Sequence, residues 1–275
     1  MSSPEIKLAQ RYPMQILIVE DNPVNQKVAV GLLGRLGYSV RTANHGREAL
    51  ELMARMQFDL VLMDVQMPEM DGLEATRQIR LREKQSGLTR TAIIALTTHA
   101  MAADQESCFS AGMDDFIAKP VRPELLRTAL EKWGARLRGE GAGPAPIAPP
   151  AAAPAGEAPP VDRSRLDEFS AGDPATATEL VTLYLEQTAE QLAQLDAAVQ
   201  AGNGREAARI AHSAIGASAT CGITLIIGTL RELERAGNDG NLAQGPALCA
   251  RARSEFDRIR AYLEIYLREV SGNNA

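Results

Sequence analysis

At 275 residues the chain has room for two domains of ordinary size, and a hydrophobic fraction of 45% supplies a core for each. A net charge of −6 argues against the basic face that nucleic-acid binding requires, and no apolar run reaches the roughly 20 residues that span a bilayer. The opening residues lack the charged-then-apolar pattern of a secretory signal. Cys108, Cys221 and Cys249 are widely spaced with no CxxC pairing, so the expectation is a cytoplasmic protein with reduced thiols.

Residues 1–13 form an N-terminal extension. The run Gln15-Ile16-Leu17-Ile18-Val19-Glu20 then reads as a buried strand halted by Glu20 and Asp21. Pro23 suits the first turn of a helix whose apolar positions are Val24, Val28, Leu32 and Leu36. A second strand is expected over 38–42, a helix over 48–56, and a third strand over 58–64 that again ends on an acid, Asp64. Helices over 73–82, 101–111 and 122–137 alternate with strands over 91–97 and 115–118. Five strands alternating with five helices imply an α/β domain over 14–137, a doubly wound parallel sheet covered on both faces.

Residues 138–160 change character. The stretch 139–160 reads GEGAGPAPIAPPAAAPAGEAPP, with seven prolines. It has too little apolar bulk to bury and too much proline for a helix, so it is a linker. Residues 161–275 are helical throughout, with helices over 175–201, 205–217, 223–236 and 247–267 and a short lead-in over 165–169. Gly-Asn-Gly, Cys-Gly and Asn-Asp-Gly-Asn breaks separate them. Such short connections favour antiparallel neighbours, hence an all-α four-helix bundle.

In an open parallel sheet the ligand site lies at the carboxyl ends of the strands, which places Glu20, Asp21, Asp64, Thr97 and Lys119 together. Three converging carboxylates repel one another and favour protonation. A hard divalent cation, Mg²⁺ or Mn²⁺, removes that conflict. Lys119 adds a point positive charge and Thr97 a hydroxyl donor. A metal, an ammonium and a hydroxyl around one carboxylate suit phosphoryl transfer, where catalysis is mostly positioning and charge neutralisation. Taken singly, each residue is a helix cap or loop residue; together at strand ends they form a site.

The segments Ile18-Val19-Glu20-Asp21-Asn22-Pro23-Val24-Asn25, Met63-Asp64-Val65-Gln66-Met67-Pro68-Glu69-Met70-Asp71-Gly72, Ala95-Leu96-Thr97 and Lys119-Pro120 carry a further message. With them, residues 14–137 resemble the receiver domain of a two-component response regulator, a flavodoxin-like fold. The resemblance implies that Asp64 is the phosphoacceptor and that the domain catalyses its own phosphorylation. Asp21 and Asp64 would hold Mg²⁺ directly with the backbone carbonyl of Gln66, and Glu20 would act through water. Thr97 would bond a phosphoryl oxygen, Lys119 would pair with it, and the Lys119–Pro120 peptide would be cis. Phe116 falls at the family's aromatic switch position and would turn inward as Thr97 moves toward the phosphate. Thr98 stands where the family usually carries Ala or Gly, and its larger side chain is expected to slow phosphoryl loss.

Of the three histidines, His45 sits in a turn-and-cap context and has no assigned role, while His99 follows Thr98 near the acidic site. His212 is expected on the exposed face of its helix, opposite core positions Ala207, Ile210, Ala211 and Ala214. Arg209 lies about one turn before it and Ile215 and Gly216 about one turn after. The segment 211–222 resembles the phosphoacceptor helix of a histidine phosphotransfer (HPt) domain, a resemblance that spans roughly 162–270. It implies that His212 accepts a phosphoryl group from a receiver aspartate and passes it on. Gly216 and Gly222 match the family pattern, but Ile215 stands where most members carry Lys. A lost charged hydrogen bond costs roughly 1.5–3 kcal/mol, or about one to two decades in rate. That slows transfer without removing the nucleophile. Arg209 is expected to supply part of the missing charge, and an exposed Ile215 to add contact area for a docking receiver.

The whole reads as a two-domain relay protein or the C-terminal part of a hybrid sensor kinase, with no kinase core of its own. Histidine kinases and other receiver or HPt proteins are the expected partners, and nucleic acid is not. The linker permits Asp64 and His212 to meet within one chain or between chains. The alternative is a phosphorylation-controlled binding switch in which the bundle is a degenerate docking module. A metabolic α/β enzyme is disfavoured because the first loop lacks GxGxxG.

Overall fold

The computed structural model describes residues 7–98, 102–140, 160–170 and 172–272, so His99 and linker residues 141–159 lie outside the described residues. The chain divides into two compact units.

The first unit begins with a short helix, α1 (Leu8–Arg11), then alternates β1 (Ile16–Val19), α2 (Pro23–Arg35), β2 (Val40–Ala43), α3 (Gly46–Arg55), β3 (Leu60–Asp64), α4 (Gly72–Ser86), β4 (Ala92–Thr97), α5 (Ala102–Ala111), β5 (Asp115–Ala118) and α6 (Pro123–Leu137). The strands form one parallel sheet in the order β2-β1-β3-β4-β5, the expected doubly wound α/β architecture. Ile16 pairs with Val40 on one side and Leu60 on the other, Leu60 with Ala92, and Ile94 with Asp115. The three inner strands are buried at every position, which is why they read as continuous apolar runs, whereas edge strand β2 alternates. Leu17, Val61, Met63 and Ile93 build one core layer with Ala75 and Ile79 of α4.

Local chemistry sets the helix ends. His45 caps α3 by accepting the Glu48 N–H on Nδ1, and Asp71 caps α4 by accepting the Glu74 N–H at 2.7 Å. Helix α4 runs past the expected residue 82 because the first left-handed residue is Gly87, φ 62°. At the sheet end remote from the acids, the Arg80 guanidinium donates to Glu83, to Asp114 at 2.6 Å and to the carbonyls of Thr91 and Gly112. This ties α4 to the starts of β4 and β5.

Residues 8–12 belong to the packing of this unit. Leu8 and Tyr12 are buried, Tyr38 Oη donates to the Tyr12 carbonyl at 2.8 Å, and Arg138 donates to the Arg11 carbonyl. Burial, with Glu131 and Tyr12 adding to it, pushes the Tyr38 phenol up to about 12. Tyr12 lies so close over α6 that a Cβ on Gly134 would fall 2.5 Å from the Tyr12 Cβ.

The second unit is helical: α7 (Arg163–Ser170), α8 (Pro174–Gln200), α9 (Gly204–Thr220), α10 (Ile227–Asn238) and α11 (Gly245–Gly272). Helix α8 packs on α9, α9 on α10, α10 on α11, and α11 on α8, closing a four-helix ring, with α7 against α8. Asp173 and Asn203 cap α8 and α9. Helix α10 starts four residues later than the sequence suggests. Ile223 is instead extended, in an antiparallel bridge with Val161. The three cysteines are buried and form no disulfide, and burial pushes the Cys221 and Cys249 thiols up. Among the described residues, no helix is long and apolar enough to cross a membrane.

Candidate functional site

Strands β1, β3, β4 and β5 end at one edge and deliver Glu20, Asp21, Asp64, Thr97 and Lys119 there. Glu20 and Asp64 are buried and Asp21 is half-buried, and each offers an oxygen within 4.8 Å of the others. Lys119, its side chain 6% exposed, reaches between two of them, with Nζ 2.6 Å from Glu20 Oε2 and 2.7 Å from Asp64 Oδ2. Burial alone would lower the ammonium pKa, but the charges of Asp64 and Glu20 and their hydrogen bonds outweigh it and raise it. Three carboxylates converge here beside the Lys119 ammonium. An oxygen-only donor set of this kind fits a hard divalent cation.

The turn after β3 is built around Asp64. The Gln66 N–H donates to Asp64 Oδ1 at 3.3 Å, and the Gly72 N–H donates to the Val65 carbonyl at 3.0 Å. A Cβ on Gly72 would lie 2.0 Å from the Asp64 carbonyl oxygen, so no other residue lets α4 start so close. Across the site, the Asn22 N–H lies 3.4 Å from Glu20 Oε1. Thr97 closes β4, buried, and Thr98 beside it is half-buried. The Lys119 N–H donates to the Thr97 carbonyl at 2.7 Å, and the Lys119–Pro120 peptide is cis. Phe116 is half-buried against the core, edge-to-face with Phe109 at 6.3 Å between centroids.

His212, expected on an exposed face, has its Nδ1 2.6 Å from Glu234 Oε1 of α10. The Arg209 guanidinium, expected to stand in for a missing lysine, donates to Glu206 at 2.6 and 3.0 Å. Glu234 was not singled out by sequence reading. The available signal was its position four residues after Leu230 and one after Leu233, on the core-facing side of α10, where a carboxylate needs a partner.

Comparison with known proteins gives the family. Residues 16–131 match the response regulator receiver domain and residues 179–262 match the Hpt domain. The chain belongs to the two-component phosphorelay proteins, a receiver domain followed by an Hpt domain.

It is 41% identical over 141 residues to the sensor histidine kinase GacS of Pseudomonas protegens, covering 51% of this chain and 15% of that protein. It is 39% identical over 125 residues to the sensor histidine kinase RcsC of Escherichia coli, covering 46% and 13%. The chain thus spans about a seventh of the length of these curated relatives. Among solved structures, the magnesium-bound receiver domain of sensor histidine kinase PA1611 from Pseudomonas aeruginosa is 43% identical, covering 44% of this chain and 98% of that one, with a TM-score of 0.41. A chain of the Saccharomyces cerevisiae complex of the phosphotransfer protein Ypd1 with the Ssk1 receiver domain is 32% identical over 45% and 90%, with a TM-score of 0.44. The pair of domains favours relay signalling over a docking module alone.

Proposed function

We propose that Asp64 accepts a phosphoryl group and that His212 exchanges phosphoryl groups with a receiver aspartate. The observation that carries the first half is the carboxylate cluster at the sheet edge, where Lys119 bridges Glu20 and Asp64 and Asp21 lies beside them. Asp21, Asp64 and the Gln66 carbonyl would hold Mg²⁺, with Glu20 acting through water. The cation would neutralise charge developing on the phosphoryl oxygens. An Asp64 oxygen attacks phosphorus, the bond to the donor's leaving group breaks, and an acyl phosphate forms. Lys119 moves its hydrogen bond from the carboxylate to a phosphoryl oxygen, and Thr97 donates its hydroxyl to another. Phe116 follows Thr97 inward as the readout.

The working boundaries are a receiver over 14–137 with residues 8–12 of the N-terminal extension packed on it, a linker over 138–160 and an Hpt domain over 161–275, in a cytoplasmic setting. Partners would be histidine kinases and the receivers or Hpt proteins they serve, as the Ypd1–Ssk1 complex supports for this domain pair. The test is mass spectrometry after incubation with acetyl phosphate and Mg²⁺. Wild type should gain a phosphoryl group on Asp64, Asp64→Ala should not, and His212→Ala should keep the aspartyl group while losing any acid-labile one. Equal labelling of Asp64→Ala and wild type would refute the assignment.

A further inference from the structure

His45 reaches the loop that follows the phosphoacceptor strand. That loop closes on itself: the Gly72 N–H returns to the Val65 carbonyl at 3.0 Å, and the Met70 N–H to the Pro68 carbonyl at 2.7 Å. Glu69, at the centre of the second turn, has φ 61°, the one non-glycine residue with a left-handed φ among the described residues. Glycine takes this conformation without strain, so a glutamate here is held by what its side chain meets. Glu69 Oε1 lies 3.6 Å from His45 Nε2, and Glu69 Oε2 lies 3.8 Å from Arg47 Nε. The ring is fixed from its other side, where Nδ1 accepts the Glu48 N–H at 3.2 Å as the α3 cap. That bond needs a bare Nδ1, so the neutral ring carries its hydrogen on Nε2, facing Glu69. The backbones dovetail at the same place. The Gly46 N–H donates to the Met70 carbonyl at 3.0 Å, and a Cβ on Gly46 would fall 2.7 Å from the Ala75 Cβ and 2.8 Å from that carbonyl oxygen.

We propose that His45 and Glu69 form a latch that presets the cation-binding loop, with His45 a positioning residue for Mg²⁺ at the Asp64 site. This rests on the reading of Gln66, three residues before Glu69, as a backbone ligand. Asp64 on β3 and Asp71 capping α4 fix the ends of the loop, and the latch fixes its tip against α3. With the tip pinned, the loop is ordered before the cation arrives. Unpinned, that ordering becomes part of binding and lowers affinity. The two side chains are 23% and 55% exposed, so the effect is a few-fold, not decades, and salt screens it. The latch does not touch the transferring phosphoryl group. It therefore acts on cation affinity and not on the chemical step once Mg²⁺ is saturating.

The test is a Mg²⁺ titration of the full chain at low ionic strength, followed by the nitrogen-15 NMR shift of the Gly72 amide, beside acetyl phosphate labelling of Asp64. His45→Asn keeps a side-chain oxygen to cap α3 but removes the ring. It should raise the Mg²⁺ concentration for half-saturation about threefold and leave the urea midpoint in place. Glu69→Gly relieves the turn, so it should bind Mg²⁺ about threefold more weakly while being no less stable than wild type. The double variant should match the single ones instead of multiplying their losses, and in about 1 M NaCl all should bind as wild type does. Labelling at saturating Mg²⁺ should keep the wild-type rate. Half-saturation within about 1.5-fold of wild type in His45→Asn, or multiplied losses in the double variant, would overturn the latch. If Mg²⁺ binding shows these differences but Asp64 is never labelled, the phosphoacceptor reading falls while the latch stands.

Discussion

Asp64 and His212 stand in surroundings that are opposite in kind. Asp64 sits among charges gathered from the ends of three strands, and its partner Lys119 is shared with Glu20. His212 has one carboxylate pressed against one ring nitrogen, delivered by the adjacent helix. The sheet brings residues far apart in sequence to one edge, so it can assemble a polyanionic pocket that needs a cation. The bundle offers a long shared flank, so it sets a carboxylate beside the histidine ring from the neighbouring helix. The aspartate site therefore depends on net charge, and the histidine site on geometry.

Removing divalent metal should separate the two most sharply. With EDTA, phosphorylation of Asp64 by acetyl phosphate should fall to background, while phosphoramidate labelling of His212 should continue. Parallel loss at both would erase the distinction. Lys119→Met should come next, leaving Glu20 and Asp64 buried beside Asp21 without their cation. A broken buried pair costs about 3–5 kcal/mol, so urea unfolding in EDTA should show a loss of that order, partly restored by Mg²⁺. A loss near zero would mean the acids are well solvated.

Ile215→Lys should be smaller but instructive. Restoring the charge that most members of the family carry there should speed phosphoramidate labelling of His212 by about 10-fold. An unchanged rate would remove Ile215 from the account. The least effect belongs to Thr98→Ala, which should speed loss of the aspartyl phosphate about threefold, under 1 kcal/mol of barrier. An unchanged hydrolysis rate would remove Thr98 from the account.

Legibility followed the same divide. Glu20, Asp64 and Lys119 were readable because each interrupts or follows an apolar run, and strand direction alone places such residues at one edge. Gly72 stood in a quoted motif, but its packing against the Asp64 carbonyl is a matter of ångströms that spacing cannot express. The Glu234 partner of His212 was not readable for a different reason: it lies 22 residues away on another helix, and no local pattern links the two.

The collar formed by α1 and Tyr12 around the end of α6 has a practical consequence. The family match runs over 16–131, yet Tyr12 fills the notch at Gly134 and the Arg11 carbonyl takes the Arg138 guanidinium. A fragment trimmed to the family outline would strip the hydrophobic lid from Leu8 to Tyr12, shorten α6 and leave the Tyr38 hydroxyl without its acceptor. The smallest piece that keeps its own seals intact runs from residue 7 to residue 138.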